Sequence, residues 1–445
     1  MADPLRLPSL ERELVHDWLV WDAWVGGKRR VDLHPFVLTE ASHRDAVRVA
    51  ERAWSLVSAA ADRAAADPEE RGRYRLHPDV ERLAAASRAG GDAGSVARVD
   101  LLLREDGRFV ACEVNADCPG GYNETLALPR LARAAGLGRG PSASRGALRD
   151  PTTIAGRLAE RLVSRSGGPG SPRGVVALAY ATAYAEDLQV CALLERLVVE
   201  RGGRAIRVSP TALAAAPGGG VAVRGERVAV VYRFYPVEWM AGQRNVDALA
   251  RATSAGELAS MSTFACIHAQ SKLAMARAFA HDRAAAAEVF PETVAFTELE
   301  RGELERNRAS WVVKRDLSRV GDHVFVGALT SPEDFREILA SVADVERRFE
   351  AAARAEAKAP AVPSRGGADA GQVWIAQRFV PQAALATPWG PRLVTLGVYL
   401  LDGVFAGYFA RLSPTSHCSH DALALPVFVE DAPPCAVGAP LGAAP

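Results

Sequence analysis

"RVDLLLREDGRFVACEVNADCPGGYNE", residues 98–124, sets two strand-like runs, "RVDLLL" and "RFVACEVN", on either side of Asp106-Gly107. Asp-Gly between alternating runs is a strong signal for a two-residue β-hairpin turn. With Asp106 and Gly107 in the turn, Glu105 faces Arg108, Asp100 lies opposite Glu113, and Arg98 lies opposite Asn115. The strand period of two then puts Arg98, Asp100, Glu113 and Asn115 on one face. Facing Cβ atoms lie about 4.5–5.5 Å apart, and like charges at that spacing oppose pairing. Two readings meet this cost equally well. A hard divalent cation such as Mg²⁺ takes carboxylate and amide oxygens and is often shared with nucleotide phosphates. Alternatively, Arg98 neutralises the acids in a salt-bridge cluster.

Around this hairpin the chain is ordinary. Its 445 residues allow two or three domains, and 49% hydrophobic with 24% charged residues is the composition of a globular protein. The formal net charge is zero, so bulk electrostatics favours neither nucleic acid nor an anionic membrane. No run of about eighteen apolar residues and no basic–apolar start is present, and no membrane association is expected. Cysteines 112, 118, 191, 266, 418 and 435 form no C-x-x-C pair, so a reducing cytoplasm is the default compartment.

Before the hairpin, residues 9–24 place Leu10, Leu14, Trp18 and Trp21 at helical spacing behind Ser9, and Trp18, Trp21 and Trp24 read as a core stripe. Residues 43–66 and 78–88 also read as helices. After it, "GVVALAYA", a helix over 186–201, "RAIRVS" and "RVAVVYRFYP" suggest a small parallel α/β lobe. A helix over 268–281, strands "SWVVKRD" and "DHVFVGAL" and a helix from Ser331 follow. Residues 354–371 read as a linker, "QVWIAQRFV", "LVTLGVYLLDG" and "VFAGYFARLS" as strands, and 431–445 as a disordered tail.

Phosphate chemistry around Mg²⁺ needs cations as well. Lysine is scarce, yet "QSKLAMA" and "WVVKRD" place Lys272 and Lys314 in ordered-looking segments. Lys314 in an apolar strand is costly unless its ammonium finds an anionic partner; taken alone it reads better as an edge-strand lysine with a solvated tip.

Taken together in order, these segments resemble the glutathionylspermidine synthase-like family of circularly permuted ATP-grasp carboxylate–amine ligases. "RVD" with "EVNADCPGGYNE" is similar to the family's R-x-D … E-x-N-A-D-x-P … E pattern, "VVYRFYPVEWM" to its "KLYPWE", and "SKLAMA" to its Asn-Lys segment. "WVVKRDLSRVGDHVFVG" resembles its strand lysine and glycine loop, "WIAQRFVPQ" its hinge, and "LGVYLLDGVFAGYFARLS" with "DALALPVFVE" its ending. The match runs from about residue 90 to 430.

The resemblance implies that Asp100, Glu113 and Asn115 hold one or two Mg²⁺ ions and that Arg98 stabilises charge on the reacting centre. It implies that Asp100, Arg98 and Gly321 also face ATP, that Lys272 and Lys314 contact it, that Arg411 lies near its phosphates, and that Gln377 and the backbone near Phe379 and Val380 bind its adenine end. Cys118 and Arg233 are the candidate substrate-facing residues. Three departures stand out: the glycine loop reads "LSRVG", so only Gly321 carries over; Arg233 replaces a lysine; and Cys118 follows Asn-Ala-Asp, so glutathione recognition is not carried over to this chain. The amidase domain of bifunctional members is not expected here.

The expected architecture is therefore α/β (α+β): a helical N-terminal region plus metal-binding hairpin over 1–172, an α/β pre-ATP-grasp lobe over 173–265, nucleotide-binding lobes over 266–430, and the tail. The expected reaction joins a small-molecule carboxylate, through an acylphosphate, to an amine, with amino-acid, peptide or polyamine substrates. The alternatives are a non-catalytic nucleotide-binding member and an ATP-grasp phosphotransferase. "SHCSHD" at 416–421 reads as a polar loop near the site rather than a Zn²⁺ centre. Cys112 alternates away from the acidic face and reads as a core residue, and Arg233 with Glu238 reads as an ion pair.

Overall fold

The computed structural model describes residues 10, 12–25, 27–137, 148–169, 173–318, 321–356, 373–418 and 422–430. Long apolar strands near both ends of the chain join in one antiparallel sheet. Its order runs Leu423–Leu425, Val404–Ser413, Leu393–Leu401, Val96–Leu103, Phe109–Asn115. One side is covered by helix Glu40–Ala66, which begins at Thr39, whose hydroxyl accepts the Ser42 N–H at 3.1 Å. The helix presents Ala46, Val49, Ala50, Ala53 and Val57 to Val99, Leu101, Leu396 and Val398. Small side chains at that spacing let helix and sheet approach closely.

A second sheet, of order Thr293–Ala295, Trp374–Arg378, Trp311–Arg315, Val324–Val326, is antiparallel throughout. Helix Pro332–Glu356 closes its outer face through Phe335, Leu339 and Val342 against Trp311, Val313 and Trp374. The third sheet is mixed. Ala205–Val208, Val175–Tyr180, Glu226–Phe234 and Ala259–Met261 pair in parallel, and Val221–Val223 with Ala214–Ala215 adds an antiparallel edge. Helices Ile154–Arg165 and Ala185–Glu200 pack on one face, and Pro78–Ala89 and Val246–Ser254 on the other. The α/β character expected from the sequence is present. Among the described residues, no helix is long and apolar enough to cross a membrane.

Three elements differ from expectation. Residues 9–24 do not form one helix: a single π-turn, Glu13–Asp17, is followed by Leu19 in the left-handed region (φ 57°) and a short hairpin, Trp24–Val25 with Lys28–Arg29. Leu10, Leu14, Val20 and Ala23 are the buried residues there among those described, while Trp21 and Trp24 are exposed. Of the tryptophan stripe only Trp18 packs against the core, because the chain turns at Leu19 and takes Trp21 and Trp24 to the surface. The helix expected over 268–281 breaks at Ser271 into Ile267–Gln270 and Leu273–His281. Of the expected linker, residues 354–356 continue helix Pro332–Glu356; the rest, like the expected tail 431–445, lies outside the described residues.

Candidate active site

The hairpin reaches the expected pairing by an unexpected route. Arg104 faces Arg108 across a three-residue loop, with Gly107 N–H on the Arg104 carbonyl at 2.9 Å. Leu101 is paired with Ala111, but Asp100 with Glu113 and Arg98 with Asn115. A bulge at Cys112 thus restores the register that the longer loop had shifted by one residue. The bulge also overturns the reading of Cys112 as a core residue. It lines the cleft, donates its thiol to the Asp100 carbonyl (3.3 Å), and burial pushes that thiol up to about 12.

Around this face lies a cavity of ≈ 350 Å³ lined by all three sheets' neighbouring segments. Asp100 is 4% exposed and held by two guanidiniums: Arg98 Nε and Nη2 donate at 2.7 and 3.0 Å, and Arg411 Nη2 at 2.7 Å. Asn115 Nδ2 adds a fourth donor at 3.3 Å. Burial opposes the charge on Asp100, but Arg411 and Arg98 outweigh it and hold the carboxyl at about 2. The salt-bridge reading of the sequence is therefore present in this structure. Both guanidiniums also lie over the Phe409 ring, at 5.7 and 5.4 Å.

Lys272 and Lys314 meet on the Glu113 side of the same cleft, and both are buried. Lys272 Nζ pairs with Glu113 Oε1 at 3.0 Å and donates to the Asp316 carbonyl at 2.8 Å. The helix break explains its place. The Asp316 carboxylate accepts the Ser271 hydroxyl at 2.8 Å and the Leu273 N–H at 3.2 Å, capping the second helix segment so that Lys272 turns inward. Lys314 Nζ donates to the Cys112 carbonyl (3.2 Å) and to Gln377 Oε1 (2.7 Å). The solvated edge-strand reading of Lys314 is overturned, because its strand is central in the sheet and its side chain is 7% exposed.

Gln377 lies across the strand from Lys314's neighbour Val312 and spends its amide on Thr293 Oγ1 at 2.9 Å. Phe379 and Val380 line the cleft, but the Phe379 N–H is taken by the Ser310 carbonyl. Gly321, at φ +80°, faces the loop of His417 and Cys418; a methyl there would stand 2.6 Å from His417 Nε2. The other members of that polar loop, Ser419, His420 and Asp421, lie outside the described residues.

Of the two substrate candidates, only Cys118 lines the cleft. Arg233 is 1% exposed and serves the fold: it pairs with Asp117 Oδ1 at 2.7 Å and donates to the Tyr235 and Ser262 carbonyls. Asp117 in turn accepts the Val237 N–H, and Gln270 Oε1 accepts the N–H groups of Ala116 and Asp117. This clamp fixes "NAD" at the end of strand Phe109–Asn115. The following Pro-Gly-Gly turn needs glycine at 121, where φ is +98° and a Cβ would meet the Phe409 ring and Tyr399 hydroxyl at 2.8 Å. Sequence reasoning missed Asp316, Gln270 and Tyr399, and gave Glu124 no role. The Ser-Lys dipeptide between helical runs was the signal available for Asp316, since serine there favours a break.

Among the described residues, no group of three or more His, Cys, Asp or Glu stands where it could hold a metal ion. The set Asp100, Glu113 and Asn115 nevertheless matches Mg²⁺ in kind, offering carboxylate and amide oxygens. Glu113 keeps 26% of its side chain exposed, so this carboxylate is the open one of the pair.

No family profile and no curated protein sequence matches the chain. Among solved structures, a glutathione synthetase-like effector from Globodera pallida, in its apo form, superposes with a TM-score of 0.53 at 15% identity, covering 96% of this chain and 98% of the effector. A protein provisionally named as a gamma-glutamylcysteine synthetase, from Methylobacillus flagellatus, gives 0.35 at 12% identity over 77% and 81% of the two chains, too slight to carry weight. The likeness is one of fold: the chain has the mixed α/β architecture of that glutathione synthetase-like effector.

Proposed function

We propose that the protein is an ATP-dependent carboxylate–amine ligase of the ATP-grasp type, working through an acylphosphate and releasing ADP and phosphate. One observation carries this reading: two buried lysines, two arginines and two carboxylates from five separate segments converge on one cleft. Lys272, Lys314, Arg98 and Arg411 are suited to offset charge spreading over a transferring phosphoryl group. Asp100, Glu113 and Asn115 are the residues that would hold Mg²⁺, which when bound supplies Lewis-acid stabilisation of the phosphoryl oxygens. Phe379 and Val380 border the adenine end, and Cys118 the substrate end. The pairing of strand Val96–Leu103 with Leu393–Leu401 supports a permuted core, with 1–172 and 266–430 flanking the 173–265 lobe.

The arginines on Asp100 favour a second reading, a non-catalytic nucleotide binder, since each carboxylate oxygen already has a cationic partner. An ADP-release screen of amino acids and small peptides against an amine panel separates the two. ADP released only when carboxylate and amine are both present supports the ligase, and Glu113→Gln should abolish it without loss of folded protein. Hydroxylamine should trap a hydroxamate, and ¹⁸O from the carboxylate should appear in the phosphate. A phosphate free of ¹⁸O would defeat the acylphosphate, and an AMP product would defeat the whole assignment.

A further inference from the structure

Where the Pro-Gly-Gly turn passes into helix Tyr122–Ala134, Glu124 stands in the first turn, 9% exposed, with Oε2 buried and lacking any hydrogen-bond partner. It lines the same cleft as Asp22, Arg30 and Glu186, which come from the N-terminal segment and from helix Ala185–Glu200. Arg30 Nη1 donates to Asp22 Oδ2 at 2.6 Å and to Glu186 Oε1 at 3.3 Å, and Gln189 Nε2 donates to Asp22 Oδ1 at 3.2 Å. Arg30 Nη1 thus serves the two neighbouring acids, and Glu124, which receives its own backbone N–H, is left with no donor on Oε2. A buried carboxylate oxygen without a donor is unfavourable in the free protein, and it is rational where a ligand completes it. Three carboxylates against one guanidinium leave this part of the cleft anionic. Lys272, Lys314, Arg98 and Arg411 make another part of it cationic.

We propose that Glu124, flanked by Asp22 and Glu186, is the subsite for the ammonium group of the amine substrate. The inference rests on the ligase reading for the fate of that amine, but not for its binding. An ammonium donates the hydrogen bonds that Oε2 lacks and offsets the surplus negative charge. The amine must also shed a proton before it can attack an acyl carbon. That proton passes to the Glu124 carboxylate, leaving a neutral amine with a free lone pair and a neutral carboxyl group. Burial, then the Asp22 charge and, more weakly, Glu186, raise the Glu124 carboxyl to about 7, against the opposing pull of its own backbone N–H and of Arg30. A base of that strength is matched to neutral pH. Tyr399, also near, stays a neutral phenol because burial raises it.

The test is calorimetric titration of the full-length protein with n-butylammonium at pH 6 and pH 8. Binding should be about tenfold tighter at pH 8, where Glu124 is ionised, and at least about tenfold weaker in Glu124→Gln. ATP binding by the variant verifies its fold. Glu186→Gln, at a half-exposed position, is the milder variant and should weaken binding by about threefold. Equal affinity in wild type and Glu124→Gln, or no saturable binding to wild type, overturns the proposal. Amine-dependent ADP release that survives Glu124→Gln refutes the subsite and keeps the ligase. Binding lost in Glu124→Gln, with no substrate pair ever releasing ADP, keeps the subsite and removes the ligase.

Discussion

Glu124→Gln should change stability in a way that depends on pH, because the shape of the side chain is kept and only its charge is removed. The carboxyl sits at about 7 in the folded protein against an ordinary value of 4.5. At about 1.36 kcal/mol for each pH unit, that displacement corresponds to about 3 kcal/mol. The sign follows from its direction. Below pH 4.5 the group is protonated in both folded and unfolded chains and contributes nothing. Between 4.5 and 7 the unfolded chain ionises first, so wild-type stability falls as pH rises. Above 7 the full penalty is present. The glutamine variant lacks this penalty, while any cost of its own amide is the same at every pH. Its stability advantage over wild type should therefore grow by about 3 kcal/mol between pH 4.5 and pH 8. Guanidinium denaturation followed by tryptophan fluorescence, run on both chains across that range, measures the gap. Asp22→Asn should narrow it, since the Asp22 charge is the first of the neighbouring charges raising Glu124. A gap constant to within about 0.5 kcal/mol would refute the argument that this carboxylate is buried and unserved.

Lys314→Ala should weaken ATP binding by about tenfold or more in calorimetry, because a buried ammonium aimed at a phosphate makes a charge-assisted bond; unchanged affinity would remove Lys314 from the nucleotide site. Asp100→Ala should cost about 3–5 kcal/mol in denaturant unfolding, since Arg98 and Arg411 would be left facing each other without a counter-charge. In wild type the depressed Asp100 carboxyl contributes about 2 kcal/mol that is fully present above pH 3.8 and lost as pH falls through 2; acid-unfolding midpoints should show it. Arg233→Met should lower the melting temperature while Kd for ATP stays within about twofold, because Arg233 braces Asp117 and does not line the cleft.

The sequence by itself determined the faces. Period-two alternation in "RVDLLL" and "RFVACEVN" put the acids on one face, although their pairing rested on a two-residue turn that the chain does not form, and the apolar surroundings of Lys314 did not by themselves favour a buried partner over a solvated tip. The α/β alternation of 173–265 was legible for the same reason, since each element's own periodicity records which side it buries. Elsewhere local pattern was not sufficient. The tryptophans of 9–24 kept a helical spacing that only Trp18 converts into core packing, and the extra hairpin residue and the Cys112 bulge cancelled without leaving a mark on the spacing of the acids. Only the tertiary structure decided that Asp100 is clasped by Arg98 and Arg411, that Asp316 breaks a helix to turn Lys272 inward, and that Asp22, Glu124 and Glu186 share one end of the cleft. Those meetings join segments far apart in the chain. Their energies depend on burial and on which partner arrives first at a given oxygen, and neither quantity is a property of any local stretch of residues.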